Sequence, residues 1–198
     1  MPKGTPLTKE EQEKRRHKIS HQVVKIFLKK GFHETSMQEI AIAAGLGKST
    51  LYDYFRTKDE ILIYFFEDQL NNMMADAQKI TLHNLSAEKR LRQIMEKYLE
   101  SLLANKKLFL KLLRDSQCLK PEGQKQVQQK RYAYQDLVRA LIDEGIREGA
   151  FRKVNSPLSA RLLVSSISST EYGSRSTGTP QERLKEILDI FFKGIQAC

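Results

Sequence analysis

Gly47-Lys48-Ser49-Thr50 carries the residue types of a phosphate-binding loop: glycine-freed backbone amides, an ammonium and two hydroxyls. A loop that wraps a nucleotide needs Gly, four residues of any kind and then Gly-Lys-Ser/Thr, emerging from a buried strand. Counting back puts Ile42 where the first glycine belongs, and Gly45 is too close to open such a loop. Nucleotide binding is therefore not expected. A second set is His17 and His21, four apart, the spacing of a two-histidine metal site. A metal needs at least a third ligand, the sequence suggests none, and the pair reads as exposed histidines. No Ser-His-Asp set, carboxylate pair or glycine-rich loop stands out as catalytic. The chain is not expected to be an enzyme, and no cofactor or metal is expected.

The elements that must position GKST are helical. Apolar residues recur at three- and four-residue spacing, and alternation of the strand kind is nearly absent. Ile19, Val23, Ile26 and Phe27 outline a first amphipathic helix over roughly 9–30, ended by Gly31. Ser36-Met37-Gln38-Glu39 is a capping box that opens a short second helix running to Ala44. Gly45-Leu46-Gly47 is a turn, and a third short helix covers 48–55. Thr57-Lys58-Asp59-Glu60 is another capping box and opens a long helix. Later helices are expected near 87–104, 106–116 and 122–148. Ser156-Pro157 and Thr179-Pro180 each set a cap before proline, opening helices near 157–172 and 180–196.

The 198 residues, 40% of them hydrophobic, suffice for a sizeable core. Apolar runs are too short for a membrane span, and MPKGTPLTKEEQEKRR lacks the apolar stretch of a signal peptide. Two distant cysteines, Cys118 and Cys198, suit a reducing compartment, so a cytoplasmic location is expected. Cys118 reads as a small buried apolar residue rather than a sensor. The formal charge of +10 points to an anionic partner. Residues 1–60 hold 12 basic and 8 acidic side chains, whereas 79–131 hold 13 against 5. The larger excess thus lies outside the segment that carries GKST.

Two short helices joined by a glycine turn and backed by a longer one make a helix-turn-helix. Ile40, Ala41 and Ala44 face Leu51 and Phe55, with Phe27 and Phe32 closing the small core. Lys48, Ser49, Thr50, Tyr52, Asp53 and Tyr54 are left on the outer side of the third helix. Such a helix docks with its first residues at base edges and its flanks at phosphates.

TSMQEIAIAAGLGKSTLYDYFRTKDEIL, preceded by KIFLKKGF, resembles the DNA-binding segment of the TetR family of bacterial transcriptional regulators. The supporting pieces are the turn glycine, the TLYxYF core and the lysine three residues after Phe55. The match covers about residues 15–65; the remainder is similar in architecture and in the EGIREGAF segment at 144–151. The resemblance implies an all-α fold, with a three-helix helix-turn-helix domain over 1–56 and a larger helical effector-binding and dimerisation domain over 57–198. It implies a homodimer paired through the last two helices, a double-stranded DNA operator and a ligand pocket in the C-terminal domain. By position, Lys48 and Thr50 approach bases or phosphates, and Gln38 can reach a base. Tyr52, Tyr54 and Lys58 match phosphate contacts, and Ser36 matches a capping residue near the DNA backbone. Ser49 offers an unselective hydroxyl. The departure is Gly47, where the family often has serine, which removes one hydroxyl. Asp53 would repel phosphate unless it accepts from a cytosine amino group, so no DNA contact is expected of it.

Phe66, Met74, Met95, Tyr98, Phe109 and Tyr132 are the candidates for lining a pocket that takes a small apolar or amphipathic effector. The expected output is repression relieved by that effector. The alternative is a C-terminal domain that binds an acidic protein partner through its basic surface instead of a small molecule.

Overall fold

The computed structural model describes residues 7–104, 119–172 and 177–196. Among these are eight helices: α1 (Lys9–Lys30), α2 (Met37–Ala43), α3 (Lys48–Tyr54), α4 (Lys58–Thr81), α5 (Ala87–Ala104), α6 (Pro121–Arg147), α7 (Ser156–Tyr172) and α8 (Pro180–Ile195). The all-α expectation holds among the described residues, which contain one isolated antiparallel bridge, Phe151 with Gln196, and no named strand. The helix expected near 106–116, with Phe109 and Cys118, lies outside them. No helix among the described residues is long and apolar enough to cross a membrane.

Local chemistry sets the helix starts. Thr8, Ser36 and Thr179 each accept a hydrogen bond from the backbone three residues on, while the glutamate there reaches back. Each box satisfies two amides that the first turn leaves without a helical partner. The start of α4 is a variant: the Thr57 hydroxyl accepts from Glu60 N at 3.1 Å, but the Glu60 carboxylate accepts from Arg56 N, one residue earlier. The cap of α7 departs from the sequence expectation. Asn155 Oδ1 accepts from Leu158 N at 3.0 Å, so Asn155 does the work assigned to Ser156, and Pro157 falls one position further in. An asparagine caps as well as a serine, and either side of the pair keeps the proline within the first turn.

The chain divides into two compact units, Met1–Gln69 with Lys107–Val127 and Leu70–Lys106 with Gln128–Cys198. In the first, Phe27, Ile40, Leu51, Phe55, Ile61 and Leu62 are fully buried, and Phe32 nearly so. Each such side chain contributes roughly 1.5–3 kcal/mol by leaving water. The three-helix arrangement of α1 to α3 therefore rests on this small core rather than on the intrinsic stability of two seven-residue helices.

In the second unit the interior is built from Leu91, Ile94 and Met95 of α5, Val138 and Ile142 of α6, Leu163 and Ile167 of α7, and Leu188 and Phe192 of α8. Two ion pairs accompany it: Arg183 with the buried Glu171, and Arg90 with the half-buried Glu144. The EGIREGAF segment ends α6 and turns the chain back. Phe151 N donates to Gly145 O at 3.0 Å, and Arg152 N donates to Ile195 O at 2.8 Å. A Cβ on Gly145 would stand 2.3 Å from Phe151 Cδ2, and that ring is buried and packed on Phe192. Gly145→Ala adds about 1 kcal/mol of helix propensity. Displacing the ring costs about 1–3 kcal/mol, so the clash wins. The variant is expected to unfold at lower denaturant with unchanged m-value; an equal or higher midpoint would contradict this packing.

Candidate functional site

The turn before α3 fixes how that helix leaves α2. Gly45 has φ 65°, a left-handed conformation that suits glycine, and its N–H donates to Ile42 O at 3.0 Å. Leu46 N donates to Ala41 O at 2.9 Å, which completes a Schellman-type helix end. Gly47 then caps α3 without any side-chain hydrogen bond. The GKST tetrapeptide is thus the first turn of a helix that follows another helix, with no strand before it.

On α3 the two faces differ sharply. Leu51 is fully buried, while Lys48, Ser49, Tyr52 and Asp53 form a solvent-facing strip, with Tyr52 at 41% exposure. Thr50 and Tyr54 flank the strip and are half-buried. On α2, Gln38 is exposed beside the cap residue Ser36, also exposed. The structure therefore leaves an ammonium, hydroxyls, an amide and a phenol outward on the helix-turn-helix.

Two basic side chains hold this platform. The ammonium of Lys58 donates to three carbonyls, Phe32 O at 2.7 Å, His33 O at 2.9 Å and Thr35 O at 3.2 Å. It also lies 4.8 Å from the Phe32 ring centroid. All three of its protons are engaged, so Lys58 ties the loop before α2 to the start of α4. Nothing in the local sequence marks Arg16. Its guanidinium covers the rings of Phe55 and Tyr64 at 4.6 and 4.9 Å and donates to Tyr54 O at 3.0 Å. It thereby satisfies a carbonyl at the end of α3. Nearby, burial and the Glu13 carboxylate push the Tyr64 phenol above its ordinary value, so it stays a neutral donor to Glu13 at 2.9 Å.

The cap of α2 is tied to α1 by Lys30, whose ammonium pairs with Glu39. That contact, with the hydrogen bonds from Ser36, holds the Glu39 carboxyl down at about 2. A depressed carboxyl stabilises the fold above the ordinary carboxylate value, and the contribution disappears as pH falls through about 2. An NMR titration should place the Glu39 midpoint near 2, and Lys30→Gln should raise it. A midpoint near the ordinary value of about 4.3 in the parent protein would contradict the Lys30 contact.

His17 and His21 acquire a partner that the sequence did not suggest. Asp68 Oδ2 lies 3.3 Å from His17 Nε2 and 3.1 Å from His21 Nε2. Asp68 is 47 residues beyond His21, and only the pairing of α1 with α4 brings them together.

In the second unit, Tyr98 Oη lies 2.5 Å from Ser168 Oγ, and Ser168 donates to Val164 O at 3.1 Å. Ser168 has one proton, so Tyr98 is the donor to it. The Tyr98 ring stacks on Tyr134 at 5.5 Å, and burial raises both phenols above their ordinary value. Among the sequence candidates for a pocket, this unit buries Met95 and half-buries Met74, while Phe66 is buried in the first unit. Tyr132 is 56% exposed and stands apart from the Tyr98–Tyr134 pair. The buried Tyr134 and the half-buried Ser168 are polar groups that helical spacing alone does not separate from ordinary core.

Comparison with known proteins agrees with this geometry. Residues 22–65 match the family model described as "Bacterial regulatory proteins, tetR family", and residues 84–195 match "Tetracyclin repressor-like, C-terminal domain". A fatty acid metabolism regulator protein from Bacillus subtilis is 20% identical over 148 residues, covering 74% of this chain and 76% of that one. The TetR family regulator PfmR from Thermus thermophilus superposes with a TM-score of 0.74 at 26% identity, covering 88% of this chain and 97% of that one. FadR from Bacillus subtilis, in complex with stearoyl-CoA, gives 0.77 at 18% identity, covering 91% and 99%. The second model alone spans more than half of the chain, and the helix-turn-helix it follows is the one built here from residues 37 to 54. The chain belongs to the TetR family of bacterial transcriptional regulators.

Proposed function

We propose that the protein is a homodimeric repressor that grips a palindromic operator and leaves it when an acyl-CoA binds. Residues 1–56 read DNA, and residues 57–198 dimerise and sense the effector. The observation that carries the DNA half is α3 itself, with a fully buried Leu51 on one side and Lys48, Ser49 and Tyr52 in solvent on the other. Lys48, Thr50 and Gln38 discriminate bases, with Ser49 adding a less selective hydroxyl. Tyr52, Tyr54 and Ser36 set register on phosphates. Lys58, with its protons on three carbonyls, acts by holding the platform and by its positive field.

The effector class rests on two supports. One relative is named as a regulator of fatty acid metabolism, and one structural neighbour carries stearoyl-CoA. In this chain, 79–131 carries 13 basic against 5 acidic residues, a charge excess suited to the phosphates of coenzyme A, and the second unit has an apolar helical interior suited to an acyl chain. Release is then differential affinity: the effector prefers a dimer geometry whose two α3 helices no longer fit half-sites about one turn apart.

Footprinting on the DNA upstream of the protein's own gene and its neighbours tests the first step. Two protected half-sites related by a dyad are expected. Protection without sequence preference, or a single undivided footprint, would refute the dimeric reading.

A further inference from the structure

The histidine pair that lacked a third ligand in the sequence has one in the fold. His17 and His21 sit one turn apart on α1 with rings stacked at 4.1 Å, and both present Nε2 to the same oxygen of Asp68 on α4. The three ligand atoms lie within 4.8 Å of one another. A zinc ion with bonds of about 2.0–2.2 Å to nitrogen and oxygen places its tetrahedral ligands about 3.3–3.5 Å apart. The two nitrogen–oxygen distances, 3.3 and 3.1 Å, are already close to those tetrahedral edges. We propose that His17, His21 and Asp68 form a binding site for a divalent first-row transition cation, zinc or one of similar preference, clamping α1 to α4.

The surroundings suit such a site. The His21 ring is held by an edge contact with Phe65 at 5.0 Å, so one ligand is fixed in place before the cation arrives. The His17 side chain is 50% exposed, which leaves the site open to entry from solvent. Two imidazoles with one carboxylate favour zinc, nickel or cobalt over magnesium or calcium, which take all-oxygen sets. Three protein ligands leave a fourth position for water. The competing explanation is that imidazole N–H groups simply donate to the carboxylate, which requires no cation at all.

The clamp is independent of operator or effector identity, because it uses neither the outer face of α3 nor the interior of the second unit. The test uses the tag-free full-length protein, titrated with Co(II) and followed by its visible ligand-field bands, then with Zn(II) by calorimetry. One equivalent per chain is expected, with affinity at least about tenfold weaker in His21→Gln and in Asp68→Asn. His33→Gln and His83→Gln, at histidines elsewhere, should leave affinity unchanged. Zn(II) should raise the thermal midpoint of the parent protein and not that of the variants. If His21→Gln loses helicity by circular dichroism, His17→Gln, at the more exposed ligand, replaces it. No one-to-one binding, or binding unaltered by Asp68→Asn and His17→Gln, would overturn the proposal.

Discussion

Replacing Lys48 and Tyr52 together with alanine is expected to lower operator affinity about a hundredfold or more while shifting the thermal midpoint by less than about 2 °C. The separation of the two effects follows from the faces of α3. Both side chains are exposed in the free protein, so removing them takes nothing from the core. Surface changes of that kind stay within about 0.5 kcal/mol of stability. Each group at a DNA contact contributes about 1–3 kcal/mol, and the two lie one turn apart, so their effects need not sum. Fluorescence anisotropy on a labelled operator at several salt concentrations measures both size and kind. If Lys48 meets phosphate, the single Lys48→Ala variant flattens the salt slope by about one counterion. If it meets a base, the slope stays and discrimination at one operator position relaxes. Undiminished specific binding by the double variant would remove α3 from the reading surface.

The second large effect is expected at α8. Leu184, Leu188, Phe192 and Ile195 are buried on one side, yet Ile190 is 64% exposed and Ile187 and Phe191 are only half-buried on another. A helix that is apolar on two sides needs two partners, and the described residues of one protomer cover only one of those sides. On α7, Leu158 and Leu162 are also exposed one turn apart, followed along the same face by the small Ser165 and Ser169. Pairing these helices with those of a second copy would cover an apolar surface in the way obligate dimers do. In such a contact Ile190→Glu would place two carboxylates, at a cost of several kcal/mol per dimer. The protomer itself loses almost nothing, since the residue already faces solvent. Sedimentation should show a folded monomer at micromolar concentration, with operator affinity reduced accordingly. A variant that remains dimeric would place the interface elsewhere.

What could be read in the sequence divides along physical lines. Caps and turns are local, so Ser36, Gly45 and Thr179 announced their helices through residues within a few positions. The inner face of the helix-turn-helix was legible for the same reason, since Ile40, Leu51 and Phe55 follow helical spacing. The cap of α7 was misplaced by one residue because Asn155 and Ser156 both carry capping oxygens and the sequence does not say which one turns inward. Long-range polar contacts were invisible. Lys58 reads as a surface lysine until the loop at 32–35 folds over it, and Arg16 reaches Tyr54 across 38 residues. Tyr98 and Ser168 are 70 residues apart, and no periodicity links a phenol to a hydroxyl on another helix. The same holds for Asp68, without which the histidine pair had no chemistry to offer.

Control of DNA by an acyl thioester is tested by one titration. The protein is held on its labelled operator while stearoyl-CoA, a short-chain acyl-CoA, free coenzyme A and free stearate are added in turn. Anisotropy should fall with at least one acyl-CoA at concentrations where coenzyme A and the free acid leave the complex intact, which would show that chain and phosphates are recognised together. An operator complex indifferent to every thioester would rule out acyl-CoA as the effector.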